Sequence, residues 1–503
     1  MAMTKRTHMP DTADCIALDD ALRTLALMGD LSMGQPIDHS PRVAALAAAL
    51  ARHQGMGPKF ETEARQTALL RWSGCTANAT DMAATISDDV QGRAAMLALQ
   101  FDQIELLVSP QKLGQRVLLT STIHCEVSSL IARTLGLDAN VALALGCVFE
   151  HWDGSGAPAA LRGAAIPPLA LWVSVCSEFE ILQRVHGLEA ALTLLQQRAN
   201  HIYPAALVQS LSTHARAWLA ELDVRTPSAP ARPIQLSLIG QVIDLKLPWL
   251  SGHSQAVVNL ADRVAHSLNL PAPGRALLRR AAWLHGLGRV AVPNAVWSRE
   301  AALSAADWER VRLAPYWTSR AVAVVGALSA EAELASAVYE RLDGSGYFRG
   351  LHAVNAPMEQ RILALAVAWV AMRSHRPWRQ ALTIDAALLD LQAEASKGRL
   401  DSQVLGALAG VVAPHAPWVP DAPERQRASY KTQAQLTARE LEVLRRISLG
   451  DSNKAAAQHL GISPATVRTH LENIFKKLNC KTRAACILQA SLLGWLDGTQ
   501  PDR

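Results

Sequence analysis

Two histidines, two acidic turn motifs and one basic segment supply the residue types in this chain that could do chemistry. His253 and His285 are imidazoles, and a His-Asp pair supplemented by further His and Asp residues binds divalent metals that activate water for phosphoester hydrolysis. Asp153-Gly154-Ser155-Gly156 and Asp343-Gly344-Ser345-Gly346 repeat one tetrapeptide. Aspartate in such a setting is expected to be a turn residue whose carboxylate bonds nearby amides. The basic segment lies between Ser463 and Leu478. At helical spacing it turns Val467, Leu471 and Ile474 inward and leaves Thr466, Arg468, Thr469, Glu472, Asn473, Lys476 and Lys477 for solvent or a ligand. Arg468 could bond guanine and Glu472 could accept from a cytosine amino group. Lys454, Lys476 and Lys477 suit phosphates.

The elements around that segment are legible. Thr437-Ala438-Arg439-Glu440 fits a capping box, in which the hydroxyl and the carboxylate satisfy each other's free amides at a helix start. Gly450 ends that helix, Ser452 caps a second, Gly461 makes a sharp turn, and Ser463 caps a third with Pro464 at its first position. Two short helices joined by a glycine turn form a helix-turn-helix, whose second helix enters the DNA major groove. The net charge of +5 agrees once divided. From Arg425 to Arg503 there are 13 Lys and Arg against 6 Asp and Glu, a balance of +7, so the other 424 residues carry −2. A basic terminal module on a near-neutral body implies a polyanion partner.

The rest of the chain reads as a duplicated helical body. His39-Ser40 followed by Val43-Ala44 recurs as His253-Ser254 followed by Val257-Val258. Leu69-Leu70-Arg71-Trp72 aligns with Trp283-Leu284-His285-Gly286 at the same offset, and the two Asp-Gly-Ser-Gly motifs follow in the same order. Apolar stripes at helical spacing, such as Val43, Leu46, Ala47, Leu50 and Ala51, predict an all-α fold. Proline-rich stretches at Asp223 to Ile234 and Ala413 to Gln435 read as linkers. They divide the 503 residues into 1–222, 235–412, a linker at 413–435, and 436–503.

Composition excludes several classes. Half of the residues are hydrophobic and 18% are charged, which argues against disorder. The longest apolar run, Ile362 to Met372, falls well short of the ~18 residues of a membrane span. Seven cysteines without a CxxC pair and a polar N-terminus without a signal-peptide apolar region predict a soluble cytoplasmic protein.

Residues 436–496, through LTARELEVLRRISLG, SNKAAAQHLGIS, TVRTHLENIFKKL and KTRAACILQASLLG, resemble the LuxR-type DNA-binding domain. That resemblance implies four helices, with Arg468, Thr469 and Glu472 facing bases and Asn453, Lys454, Thr466 and Lys477 facing the backbone. The fourth helix, about Thr482 to Leu493, would serve dimer contacts. From about Ser251 to Met372 the second copy resembles the HD-GYP cyclic-di-GMP phosphodiesterases through SGHSQAV, AAWLHGLGRVAVPNAVW and ERLDGSGYFRGL. The first copy resembles the wider HD superfamily more faintly, through GQPIDHSPRVAAL and EHWDGSGAPAALRG.

Against the HD-GYP pattern most metal ligands are replaced. Gly286 stands for the aspartate after His285, Ala314 for a histidine before Pro315, Val338-Tyr339 for a histidine pair and Val367 for an aspartate. In the first copy Arg71-Trp72 and Val148-Phe149 stand at the matching places. Two imidazoles without carboxylates cannot hold a two-metal centre. The chain is therefore expected to be a transcription regulator and not an enzyme, with no catalytic residue, no cofactor and only vestigial metal candidates in His253 and His285. Its expected partners are double-stranded DNA, a second copy of itself and a small-molecule or nucleotide effector. The alternative is a metal-dependent cyclic-di-GMP phosphodiesterase fused to a DNA-binding domain.

Overall fold

A computed structural model describes residues 14–222, 232–323, 325–413 and 436–496. Most of the two expected linkers, residues 223–231 and 414–435, lie outside the described residues. Among the described residues the fold is all-α apart from one two-stranded ribbon, in which Cys15–Ala17 pairs antiparallel with Pro233–Gln235. Each strand runs straight into the first helix of one copy, Leu18–Ser32 and Leu236–Asp244. The ribbon therefore ties together equivalent ends of the duplicated body.

The duplication extends to single hydrogen bonds. The stripes seen in the sequence are buried on helices His39–His53 and His253–Ser267. Neither helix is capped by the residue before it. An aspartate ten positions upstream of each serine supplies the acceptor. The Asp30 carboxylate accepts from the Ser40 amide at 3.0 Å and hydroxyl at 2.6 Å. The Asp244 carboxylate accepts from the Ser254 amide at 2.9 Å and hydroxyl at 2.8 Å. These bonds satisfy amides that a helix start leaves without partners. Burial raises both carboxyls to about 7.

The loops repeat as well. The Glu150 carboxylate accepts from the amides of Ala159 and Leu161, and that of Glu340 from the amides of Arg349 and Leu351. Asp153 and Asp343 take the turn role read from the sequence. Each accepts from the amide of the serine two residues on, at 2.9 and 3.0 Å.

The two copies meet around a buried ion pair. Lys246 Nζ lies 3.0 Å from Asp89 Oδ2, and both side chains are fully buried. Asp89 Oδ1 accepts from the Asn294 amide at 2.6 Å, and Asn294 Nδ2 donates to the Lys246 carbonyl at 2.9 Å. One cluster of buried apolar side chains runs from Ile16 through both copies to Leu496. The last helix, Arg483–Leu492, packs against Pro110–Thr134 of the first copy and Leu236–Asp244 of the second. Gly450, with φ +94°, sits against Pro248, whose Cβ would be 2.7 Å from any Cβ added there. The terminal module is thus seated on both copies.

Removing one partner of a buried pair leaves an uncompensated charge. Lys246→Met is expected to lower unfolding stability by ~3–5 kcal/mol in denaturant titrations. Adding Asp89→Asn should recover part of the loss, because an amide oxygen can still accept from the Asn294 N–H.

Candidate functional site

Among the described residues the terminal module has four helices, Ala438–Ser448, Asn453–Leu460, Pro464–Leu478 and Arg483–Leu492. Both halves of the expected capping box form. The Thr437 amide donates to Glu440 Oε2 at 2.7 Å and the Glu440 amide to Thr437 Oγ1 at 3.2 Å. Ser452, Ser463 and Thr482 cap the other three helices, and Gly461 closes the second in the left-handed region at φ 63°. Val467, Leu471 and Ile474 are buried. That leaves Thr466, Arg468, Thr469, Glu472, Asn473 and Lys476 exposed along one helix. Arg468 Nε lies 3.1 Å from Glu472 Oε1, in a pair that stays mostly in solvent and is easily opened for another partner.

Two expected contacts sit differently. Lys477 is only 33% exposed, and its Nζ lies 2.6 Å from Glu440 Oε2, so it ties the third helix to the capping box. Burial alone would raise the Glu440 carboxyl, but Lys477 and Thr437 hold it below its usual range. Asn453 Oδ1 accepts from Arg483 Nη2 at 2.6 Å. Lys454 remains exposed. Arg483, a residue that sequence spacing does not single out, is the group that orients Asn453.

In the second copy His253 and His285 come together, with their Nε2 atoms 3.3 Å apart. His285 Nδ1–H donates to the Ala282 carbonyl at 2.6 Å, so its Nε2 is the acceptor for His253. Burial, then the charge of Arg289, pushes His285 down to about 3 and His253 well below its ordinary value. Both rings are therefore neutral near pH 7. Arg289 folds back over the missing aspartate, and a Cβ at Gly286 would stand 3.3 Å from its Nη1. Its Nε and Nη2 donate to the Tyr339 hydroxyl at 3.3 and 3.1 Å. Arg376 lies 4.2 Å above the Trp249 ring and donates to the Trp249 carbonyl at 3.3 Å. Ala314, Val338 and Val367 are buried apolar positions.

This donor set does not suit a pair of divalent cations. Two neutral imidazoles face two guanidinium ions, and Asp244 is already engaged by Ser254. Among the described residues no group of three or more His, Cys, Asp or Glu is placed to hold a metal ion. The first copy differs again. His39 Nδ1 lies 2.5 Å from Glu180 Oε2, and Arg42 and Arg184 bond the other Glu180 oxygen. Burial would raise the Glu180 carboxyl, but His39 and Arg184 hold it below its ordinary value. Arg71 is buried beside Ser174 and the Val148 carbonyl, and its own carbonyl meets His124 Nε2 at 2.7 Å. The motif match does not extend to Glu180 or His124.

A cavity of about 500 Å³ opens where the three parts of the chain meet. Its walls include Ile123 from the first copy, Gln241 and Leu245 from the second, and Phe475 and Ile487 from the terminal module. It reaches Ser251 and Gly252, but neither His253 nor His285 lines it. No helix among the described residues is long and apolar enough to cross a membrane.

Residues 28–207 and 237–404 match the family model of the HD domain, and residues 434–490 that of the bacterial regulatory proteins of the luxR family. The 3'3'-cGAMP-specific phosphodiesterase 3 of Vibrio cholerae is 27% identical over 74% of this chain and 89% of its own length. The cyclic di-GMP phosphodiesterase response regulator RpfG of Xanthomonas campestris is 30% identical over 42% of this chain and 53% of its own. The probable transcriptional regulatory protein NarL of Mycobacterium tuberculosis is 36% identical over 21% of this chain and 43% of its own. The crystal structure of a V. cholerae cyclic GMP-AMP specific phosphodiesterase superposes with a TM-score of 0.57 at 21% identity, over 80% of this chain and 99% of that one, and supports the fold.

These matches correct the expectation that the chain is not an enzyme. Phosphodiesterase relatives align with most of the body, so they point towards a possible enzyme. The replaced ligands bear on metal binding at those motif positions alone. Well over half of the chain matches the HD model, and the chain belongs to the HD-domain family, here fused to a LuxR-type regulatory domain.

Proposed function

We propose that this protein is a DNA-binding transcription regulator whose HD-type body takes a nucleotide signal and passes it to the DNA reader. The observation that carries the reading is the exposed polar face of helix Pro464–Leu478 on a module whose last helix is packed against both copies of the body. A groove-reading helix needs its N-terminal half free, and here Thr466, Arg468 and Thr469 are exposed. Coupling has a physical route, because the module and both copies share one apolar core and wall one cavity. A change in how the copies pack would move the reader.

The protein would bind DNA as a dimer, since two half-sites give the affinity that one such module lacks. Helix Arg483–Leu492 is occupied by the body in this arrangement, so a dimer built through that helix would require the module to leave its seat. A second reading, a phosphodiesterase fused to the same reader, is favoured by the alignment with the 3'3'-cGAMP-specific enzyme over 415 residues. Incubation of the purified protein with 3'3'-cGAMP or cyclic di-GMP and Mn²⁺ or Fe²⁺ separates the two readings. Steady turnover would make the body an enzyme as well as a sensor.

Arg468→Ala should weaken binding to the specific promoter by about 1–3 kcal/mol and relax the preference at one base, measured by footprinting across sequence variants. Lys476→Ala should weaken all sequences alike and flatten the slope of log K against log salt by about 1. Lys477→Ala should also lower the melting temperature, because it removes the partner of Glu440.

A further inference from the structure

The cavity at the junction of the three parts has the size and lining of a ligand site. Its volume of about 500 Å³ falls within the ~300–1,000 Å³ of small-molecule pockets. Leu119, Ile123, Leu245, Phe475, Ile487 and Leu488 give it broad apolar walls. Each charged side chain on the wall already has a partner or faces solvent. Asp81 lies 3.8 Å from Arg116, Asp244 bonds Ser254, Arg483 bonds Asn453, and Lys481 is exposed. Gln241 is different. Its Oε1 is buried and accepts no hydrogen bond from the described residues. An unpaired buried acceptor is costly, and a ligand N–H or O–H in the cavity would relieve that cost.

We propose that this cavity binds a small, uncharged, mainly apolar molecule with an N–H or O–H donor for Gln241, and that the molecule fastens the terminal module to the body. Apolar cavities walled by Leu, Ile and Phe take up apolar guests of matching size. A guest here touches all three parts at once, so it favours the arrangement in which they are together. Binding needs no nucleotide. Its consequence for DNA rests on the terminal module being the reader, and two residues carry it. Phe475 lies on the helix that bears Arg468. Arg483 reaches from the wall to Asn453 Oδ1 at 2.6 Å and to the Asp451 carbonyl at 3.3 Å, at the start of the module's second helix. A dimer built through helix Arg483–Leu492 requires the module to leave its seat, and the guest opposes that step.

The test titrates the full chain with N-phenyl-1-naphthylamine, an uncharged apolar amine with one N–H whose fluorescence rises in apolar surroundings. Saturable binding is expected. Ile123→Trp, which fills the cavity, should weaken it about tenfold or more, because excluding roughly two methylene-sized parts of the probe forfeits that much. Leu119→Asp, at an exposed wall position, should weaken it in the same direction. Gln241→Met should cost about two- to tenfold, the usual worth of a neutral hydrogen bond. Leu389→Asp, at an exposed apolar position outside the cavity wall, should change nothing. Thermal melts report whether each variant is folded. A lack of saturable binding, or binding unchanged in folded Ile123→Trp and Leu119→Asp, would overturn the site. In footprinting, saturating probe should weaken promoter binding, and promoter DNA should weaken probe binding by the same factor. Probe binding that depends on the cavity but leaves DNA binding unaltered would overturn the fastening role. A chain that binds the probe but no DNA, with Arg468→Ala indistinguishable from it, would sink the DNA reading and keep the site.

Discussion

The joint between the two copies depends on one buried charge pair. Lys246 and Asp89 are both fully buried, so removing either would leave the other without its partner in the core. Their attraction is directional because Asp89 also accepts from the Asn294 amide while Asn294 holds the Lys246 carbonyl. An apolar contact of the same area would allow the copies to slide. A hydrogen-bonded pair admits one relative placement, and the seat of the terminal module is made of surfaces from both copies. The position of the DNA reader therefore inherits the geometry of that pair.

Duplication explains much of the remaining structure. Asp30 and Asp244 hold the starts of equivalent helices with the same two bonds, and Glu150 and Glu340 hold equivalent loops. These carboxylates are framework. These four carboxylates are engaged by backbone amides. The two histidine sites then diverge. In the first copy a carboxylate, Glu180, bonds His39 and two arginines. In the second, two arginines face two neutral imidazoles.

Local rules were legible in the sequence wherever their partners lie within a few residues. The capping box at Thr437 and Glu440, the glycine turn at Gly461, the apolar stripe of Val467, Leu471 and Ile474 and the turn aspartates all involve neighbours along the chain. The buried stripes of the duplicated helices follow from the same periodicity. The exposed face of helix Pro464–Leu478 was readable because helix spacing alone decides which side chains share a surface. Lys477 was misplaced on that face because its partner Glu440 belongs to another helix. Catalytic character was misjudged for a related reason. Substituted motif positions describe particular ligands, whereas the likeness to phosphodiesterases extends over most of the body.

By itself, then, the sequence determined that the chain is helical, duplicated and ended by a basic helix-turn-helix, because periodicity, caps and charge balance are properties of consecutive residues. Tertiary structure decided what faces what. It closed the Lys246–Asp89 pair across the copies and set Arg289 into the space beside Gly286. It also pressed helix Arg483–Leu492 against the body. The first and last of those contacts join residues more than a hundred positions apart, and the energies of all three depend on burial, which no linear pattern contains.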